Sequence, residues 1–183
     1  MYSIKTILKE SFPVLVIGAA ISIGAGLILN SNNELLFALP GLLVVIPAFI
    51  NMNGSILSIL SSRISSALHM GLIKPKLKTT KTLNKNLIIT AFDSFVSFLL
   101  LGFIAGGFNI FFGIPTVDFW IFPFITLTAG LISITLLSVL SITFSYVSYS
   151  RGIDPDNWVI PALTNIGDFV GVLLLFVILG LFI

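Results

Sequence analysis

An acidic residue near the end of the chain is the side chain whose position most strongly predicts chemistry. Asp168 lies in residues 164–183, which otherwise have the composition of a membrane span, and the fifteen residues after it are uncharged. An ionised carboxylate at the centre of a bilayer costs at least about 2.5–3.5 kcal/mol, even on lenient insertion scales. The side chain is therefore expected to face protein, water or a cation.

Two further polar residues precede Asp168 by one helical turn. Thr164 and Asn165 lie at the i−4 and i−3 positions, so on a helix they share a face with the carboxylate. Carboxylate, amide and hydroxyl oxygens are ligands that hard cations such as Mg²⁺ prefer. Gly167 and Gly171 form a G-x-x-x-G pair, which permits another helix to approach closely. The pattern predicts a cation site on a closely packed membrane helix.

An earlier apolar segment carries the matching polar residues. Asn51, Asn53 and Gly54 follow Pro47 in a stretch that also contains Pro40. Broken backbone at membrane depth is tolerated where it is buried in protein or lines a water-filled cavity. We expect this segment to be broken and to line the cation pathway.

The remaining acids near apolar segments have alternative interpretations. Asp93 is either an accessory acid at the inner mouth of a pathway or an ion-pair partner of Lys85 or another base. Asp154 fits a helix N-cap with a proline at the first helical position, and both Asp154 and Asp156 favour the helix dipole. Attraction of cations to the inner mouth could coexist with capping.

The composition predicts an all-α integral membrane protein, since 57% of the residues are hydrophobic and only 9% are charged. A membrane helix needs about 20 mostly apolar residues. Five spans are predicted in a single domain over residues 1–183. They lie near residues 12–29, 36–60, 87–108, 119–148 and 157–182, with a basic loop at 61–86.

The positions of the nine basic residues predict the orientation of these spans. All nine fall before the first span, between the second and third, or between the fourth and fifth. Lysine and arginine are enriched in cytoplasmic loops. The N-terminus is therefore expected in the cytoplasm and the C-terminus outside, with the protein in the cell membrane.

Several enzyme classes are excluded by residue content. The chain has no cysteine and one histidine, so thiolate chemistry and zinc motifs with paired histidines are not available. An intramembrane aspartyl protease needs aspartates in Tyr-Asp and G-x-G-D settings. Here the second setting reads Asn165-Ile-Gly-Asp168 and no Tyr-Asp occurs. We predict a transporter and not an enzyme.

The segment from Arg151 to Asp168 resembles a family signature. It is similar to the last span of the MgtE and solute carrier 41 magnesium transport domain, which reads G-[IL]-[DN]-P-D-N, then a proline, then a G-D pair. In the second span, Ser62-Arg63-Ile64-Ser65 matches the family's S-R-[IL]-S. The resemblance extends over the whole chain, including five spans with the C-terminus outside.

This resemblance implies a Mg²⁺ pathway along the axis of a homodimer, lined by spans 2 and 5. The family's essential membrane acid corresponds to Asp168, with the backbone carbonyl of Thr164 nearby. Gly54-Ser55 stands where the family has Gly-Asn, so Asn53 or Asn51 is expected to supply the amide. The expected partners are a second copy, membrane lipid and the transported Mg²⁺, with no nucleic acid.

Two departures from the family pattern bear on regulation and assembly. Bacterial members carry a large cytosolic magnesium-sensing region before the first span, whereas about eleven residues precede it here. Animal carriers hold two copies of the domain, and this chain holds one. It therefore resembles compact prokaryotic members. The alternative function is a proton- or sodium-coupled carrier that uses Asp93 and Asp168.

Overall fold

The computed structural model describes residues 4–74 and 80–182, and every regular element in them is an α-helix. The helices are α1 Ile4–Ser31, α2 Asn33–Ala38, α3 Gly41–His69, α4 Lys81–Phe111, α5 Ile121–Ser150 and α6 Pro155–Leu179. All but the six-residue α2 are long and apolar enough to cross a membrane. The all-α class and the five membrane helices are confirmed. Lys76 and Lys78 of the predicted basic loop lie outside the described residues.

The second membrane helix begins five residues later than the predicted start at residue 36. Leu39 interrupts the helix with φ −129° and ψ 72°. The residue before a proline is disfavoured in the helical conformation, and Pro40 follows. Residues 33–38 therefore form the separate α2. At its other end α3 continues to His69, so the segment between α3 and α4 is shorter than the predicted loop.

The expectation of a broken backbone between Pro47 and Gly54 is wrong, because α3 is continuous through this stretch. A proline inside a helix removes one hydrogen-bond donor, but membrane helices tolerate that loss where neighbouring helices compensate. The prolines and asparagines of this segment thus belong to a regular helix and do not break it.

The helix α3 packs against α4, α5 and α6. The last helix, α6, also packs against α1 and α5. The first helix lies at the periphery, since 11% of its most apolar part is buried, against 44% for both α3 and α6. The two helices with the predicted site residues are therefore held by the rest of the protein.

A buried polar ladder fixes α3 against α5. The side-chain amide of Asn53 donates to Ser133 Oγ at 2.8 Å, and Ser61 Oγ lies 2.9 Å from Ser141 Oγ. Both pairs are separated by 80 residues in the chain, so the two helices run parallel and keep a constant register. Buried side-chain hydrogen bonds of this kind are a typical means of helix association in membranes.

Glycines bring α6 close to α3, as the G-x-x-x-G pair predicts. A Cβ on Gly167 would lie 3.1 Å from Cδ1 of Leu57, and one on Gly171 would lie 2.8 Å from Nδ2 of Asn53. A side chain at Gly171 would displace the amide of Asn53. The partners move backwards along α3 as α6 advances, so these two helices are antiparallel.

Candidate functional site

An open groove of about 830 Å³ lies between α3 and α6. The α3 wall presents positions three or four residues apart, so they share one face of the helix. Its lining consists of Ile46, Pro47, Ile50, Asn51, Gly54, Ser55, Ser58 and Ile59 of α3, Thr164 and Asp168 of α6, and Leu29 of α1. The groove thus combines apolar walls with a small set of oxygen-bearing side chains.

Asp168 lies at the middle of the bundle, one residue past the midpoint of the 25-residue α6. Its side chain is partly buried and lines the groove. Within residues 4–74 and 80–182, no N–H or O–H group donates a hydrogen bond to this carboxylate. No basic group pairs with it there either, because the contact between a basic and an acidic side chain in these residues joins His69 to Asp154. The described chain therefore leaves the carboxylate without a partner.

Thr164 is the second α6 residue in the groove. Its hydroxyl donates to the carbonyl of Ile160 at 2.9 Å, which leaves the oxygen lone pairs free to accept. A Cβ on Gly54 would lie 3.1 Å from the Thr164 methyl group. Glycine at position 54 therefore lets the α3 backbone come close to this turn of α6. Thr164, Gly54 and Asp168 thus line the same groove.

The two asparagines of α3 face different surroundings. Asn51 is exposed and lines the groove. Asn53 is fully buried, and its amide donates to Ser133 Oγ at 2.8 Å and to the carbonyl of Gly167 at 2.9 Å. Of the two amides that the sequence suggests, the structure brings only Asn51 to the groove. Asn53 instead links α3 to α5 and α6.

Asn165 points away from the groove toward α1. Its Oδ1 accepts from Ser22 Oγ at 3.0 Å, and its Nδ2 donates to the carbonyl of Pro161 at 2.7 Å. A Cβ on Gly18 would collide with this amide, so the glycine gives Asn165 its space. Consecutive side chains on a helix point about 100° apart. Asn165 therefore faces α1, whereas Thr164 faces the groove.

The other predicted acids lie away from Asp168. Asp93 is partly buried on α4, which contributes no residue to the groove, and it forms no ion pair with Lys85. Asp154 caps α6 by accepting from the backbone N–H of Asp156 at 3.1 Å, with Pro155 following, as predicted. Asp154 and Asp156 are about 20 Å from Asp168 along the helix, at 1.5 Å per residue.

Ser55 and Ser58 also line the groove. Ser55 is exposed and is the central residue of the 29-residue α3. On a continuous helix it follows Asn51 by four positions, and this spacing was the signal that could have identified it. Residues 4–74 and 80–182 contain no group of three or more His, Cys, Asp or Glu side chains able to hold a metal. One carboxylate and neutral oxygens make up the site.

We predict that alanine lowers stability much more at Asn53 than at Asn51. Asn53→Ala should lower the free energy of unfolding by about 1–3 kcal/mol, because the Gly167 carbonyl and the Ser133 hydroxyl lose a buried donor. Asn51→Ala should change it by less than about 0.5 kcal/mol, because Asn51 is exposed in the groove. Thermal unfolding of both variants in detergent measures the difference. Equal destabilisation would contradict these placements.

Comparison with known proteins identifies the family. The model of the MgtE divalent cation transporters matches residues 46–178, which include all groove residues except Leu29. Solute carrier family 41 member 3 of Mus musculus is 30% identical over 188 residues, which cover 94% of this chain and 38% of that protein. The Rattus norvegicus protein of the same name is 29% identical over 184 residues, with 94% and 40% covered.

The chain spans about two fifths of the length of these curated relatives. No solved structure matches it at a significant level. The family match covers most of the chain and both walls of the groove, and it confirms the resemblance found in the sequence. Five apolar helices of sufficient length agree with it. The chain is therefore a multi-pass membrane protein of the MgtE family of divalent cation transporters.

Proposed function

We propose that this chain carries Mg²⁺ across the membrane through the groove between α3 and α6, with Asp168 as the central site. The proposal is carried by one observation: a carboxylate at mid-helix opens to the groove with no donor or base from the described chain. A charge there costs at least about 2.5–3.5 kcal/mol if nothing compensates it. A divalent cation with its water provides that compensation.

The neutral groups of the groove suit a hard cation. Asn51, Ser55, Ser58 and Thr164 all offer oxygen atoms, and Mg²⁺ selects oxygen ligands. Nitrogen and sulfur ligands, which favour zinc or copper, are absent from the groove lining described above. These oxygen ligands therefore favour binding of a hard cation such as Mg²⁺ over binding of zinc or copper.

The size of the groove favours an ion that keeps much of its water. Mg²⁺ dehydrates reluctantly and is usually held by one or two carboxylates together with several waters. Six waters at about 30 Å³ each occupy about 180 Å³. This volume is well below the roughly 830 Å³ of the groove. Asp168 is thus expected to bind the ion largely through its hydration shell.

The open side of the groove supports a homodimer. Pro47, Asn51 and Ser55 are exposed along one face of α3 at membrane depth. Polar groups in a span normally face protein or a water-filled cavity and not acyl chains. A second copy placed on this face would enclose the groove and supply a second Asp168. Two facing carboxylates repel each other, and a divalent cation between them removes that repulsion.

We place the N-terminus in the cytoplasm and the C-terminus outside. Asn157 at the start of α6 donates to Glu10 at 2.7 Å, and His69 at the end of α3 lies 3.5 Å from Asp154. The start of α1, the end of α3 and the start of α6 therefore meet at one end of the bundle. The basic residues that the structure describes lie in these segments or at the start of α4, which follows α3. Positively charged ends face the cytoplasm.

Uptake into vesicles tests this function. Purified protein in proteoliposomes containing a Mg²⁺-sensitive dye should give Mg²⁺ entry down its gradient at a rate above that of empty vesicles. Imposed H⁺ and Na⁺ gradients, with the membrane potential clamped, should leave the rate unchanged. Flux that follows either gradient and ignores the Mg²⁺ gradient would contradict the proposal and favour the coupled carrier.

A further inference from the structure

A second groove, of about 590 Å³, lies where the end of α3 meets the start of α4, away from Asp168. It is lined by Arg63, Lys81, Thr82, Lys85, Asn86 and Ile89. The three basic residues are exposed, and none forms an ion pair with an acid in residues 4–74 and 80–182. The ends of two helices thus bring three positive charges, without acidic partners in the described residues, to the second groove.

We propose that this second groove binds the headgroup phosphate of an anionic phospholipid. A phosphate is matched by Arg63, whose planar guanidinium can bind two of its oxygens, and by the two lysines as point charges. Thr82 and Asn86 add neutral hydrogen-bond donors at the same place. The inference does not depend on the transport proposed above, because none of these residues lines the α3–α6 groove.

The depth of this second groove corresponds to the level of lipid phosphates. Arg63 follows the central residue of α3 by eight positions, or about 12 Å, and Lys85 precedes the centre of the 31-residue α4 by about 16 Å. The hydrocarbon core of a bilayer extends about 15 Å from its centre. The basic side chains therefore lie at the boundary between acyl chains and headgroups.

An apolar stripe continues from the basic residues along α4. Ile88, Phe92 and Phe95 follow Lys85 at steps of three and four residues, and their exposures are 70%, 67% and 46%. This spacing keeps all of them on the helix face that begins with Lys81 and Lys85. Acyl chains would lie along the stripe while the phosphate occupies the groove. This continuity favours a lipid over free phosphate, which would leave the stripe without a ligand.

Lipid titration of the full chain tests the proposal. Delipidated protein in detergent is mixed with dioleoyl phosphatidylglycerol or dioleoyl phosphatidylcholine, and bound lipid is counted by native mass spectrometry. Removing each basic residue near an anionic headgroup should weaken binding about fivefold. Arg63→Gln/Lys81→Gln/Lys85→Gln should therefore weaken phosphatidylglycerol binding on the order of a hundredfold, while phosphatidylcholine binding stays the same.

The matched control is Lys5→Gln/Lys9→Gln/Lys74→Gln, which removes the same charge from residues outside the second groove. An equal loss in this control would overturn the proposal, as would equal binding of the two lipids by the unaltered protein. Lys81→Gln/Lys85→Gln is a milder variant with an expected loss of about 25-fold. Displacement of phosphatidylglycerol by inorganic phosphate would assign the groove to a free anion and overturn the lipid assignment.

Discussion

Replacing Asp168 with asparagine is expected to abolish Mg²⁺ uptake while the protein stays folded. Asparagine keeps the size and one oxygen of the side chain but removes the charge that we propose compensates a cation in the groove. The loss should exceed about tenfold, because charge-assisted contacts to the ion or its waters contribute more than about 1.5 kcal/mol. Dye-reported uptake into proteoliposomes at matched protein density measures it.

Stability distinguishes this effect from misfolding. The unpaired charge at mid-helix is unfavourable in the empty protein, so Asp168→Asn should melt at the same temperature as the unaltered protein or a higher one. Asp168→Glu keeps the charge and should retain part of the uptake. Normal uptake by a well-folded Asp168→Asn protein would refute the role proposed for this residue.

Asp93→Asn separates the two transport schemes within the same assay. Asp93 lies on α4, outside the lining of the groove, and has no ion-pair partner in the described residues. Uptake through the α3–α6 groove should therefore survive this change. A carrier that relays protons through Asp93 and Asp168 would lose uptake in both variants.

The sequence allowed the fold class to be predicted because hydrophobicity and charge placement are properties of whole segments. Runs of uncharged residues required five helices, and the ends of these runs located most boundaries to within several residues. The Asp154–Pro155 cap was predicted correctly because it depends only on neighbouring residues. The boundary at Leu39 was missed, although the restriction imposed by Pro40 is also local.

The candidate site was harder to predict because helix rotation depends on tertiary contacts. Asp168 and Thr164 are four residues apart and line the same groove. Asn53 was not distinguishable from Asn51 by type or depth, and its burial depends on Ser133 of α5, 80 residues away. Asn165 was expected on the same face as Asp168, but its side chain accepts a hydrogen bond from Ser22 of α1. Short-range spacing thus predicts which residues share a face of a helix, but not which neighbouring helix packs against that face.

The contact between α4 and α5 gives the prediction with the largest expected effect on stability. Gly102→Ala should be strongly destabilising, because the added Cβ would lie 2.6 Å from the backbone nitrogen of Pro123 and 2.5 Å from Thr126 Oγ1. The backbone of Pro123 cannot move aside as a side-chain end can. Thr126 Oγ1 also donates to the carbonyl of Phe98 at 2.9 Å, a bond between the two helices that the methyl group would displace.

Overpacking of a rigid contact costs about 1–3 kcal/mol, and the lost interhelical hydrogen bond adds about 1 kcal/mol more. Gly107→Ala is the matched control on the same helix, since a Cβ there meets nothing within 4 Å. Alanine should leave stability unchanged or raise it by up to about 1 kcal/mol at that site through its better helix propensity. Both variants are heated in detergent, and size-exclusion chromatography measures the fraction of each that remains monodisperse. If Gly102→Ala proved as heat-resistant as Gly107→Ala, the result would contradict the close packing of α4 against Pro123.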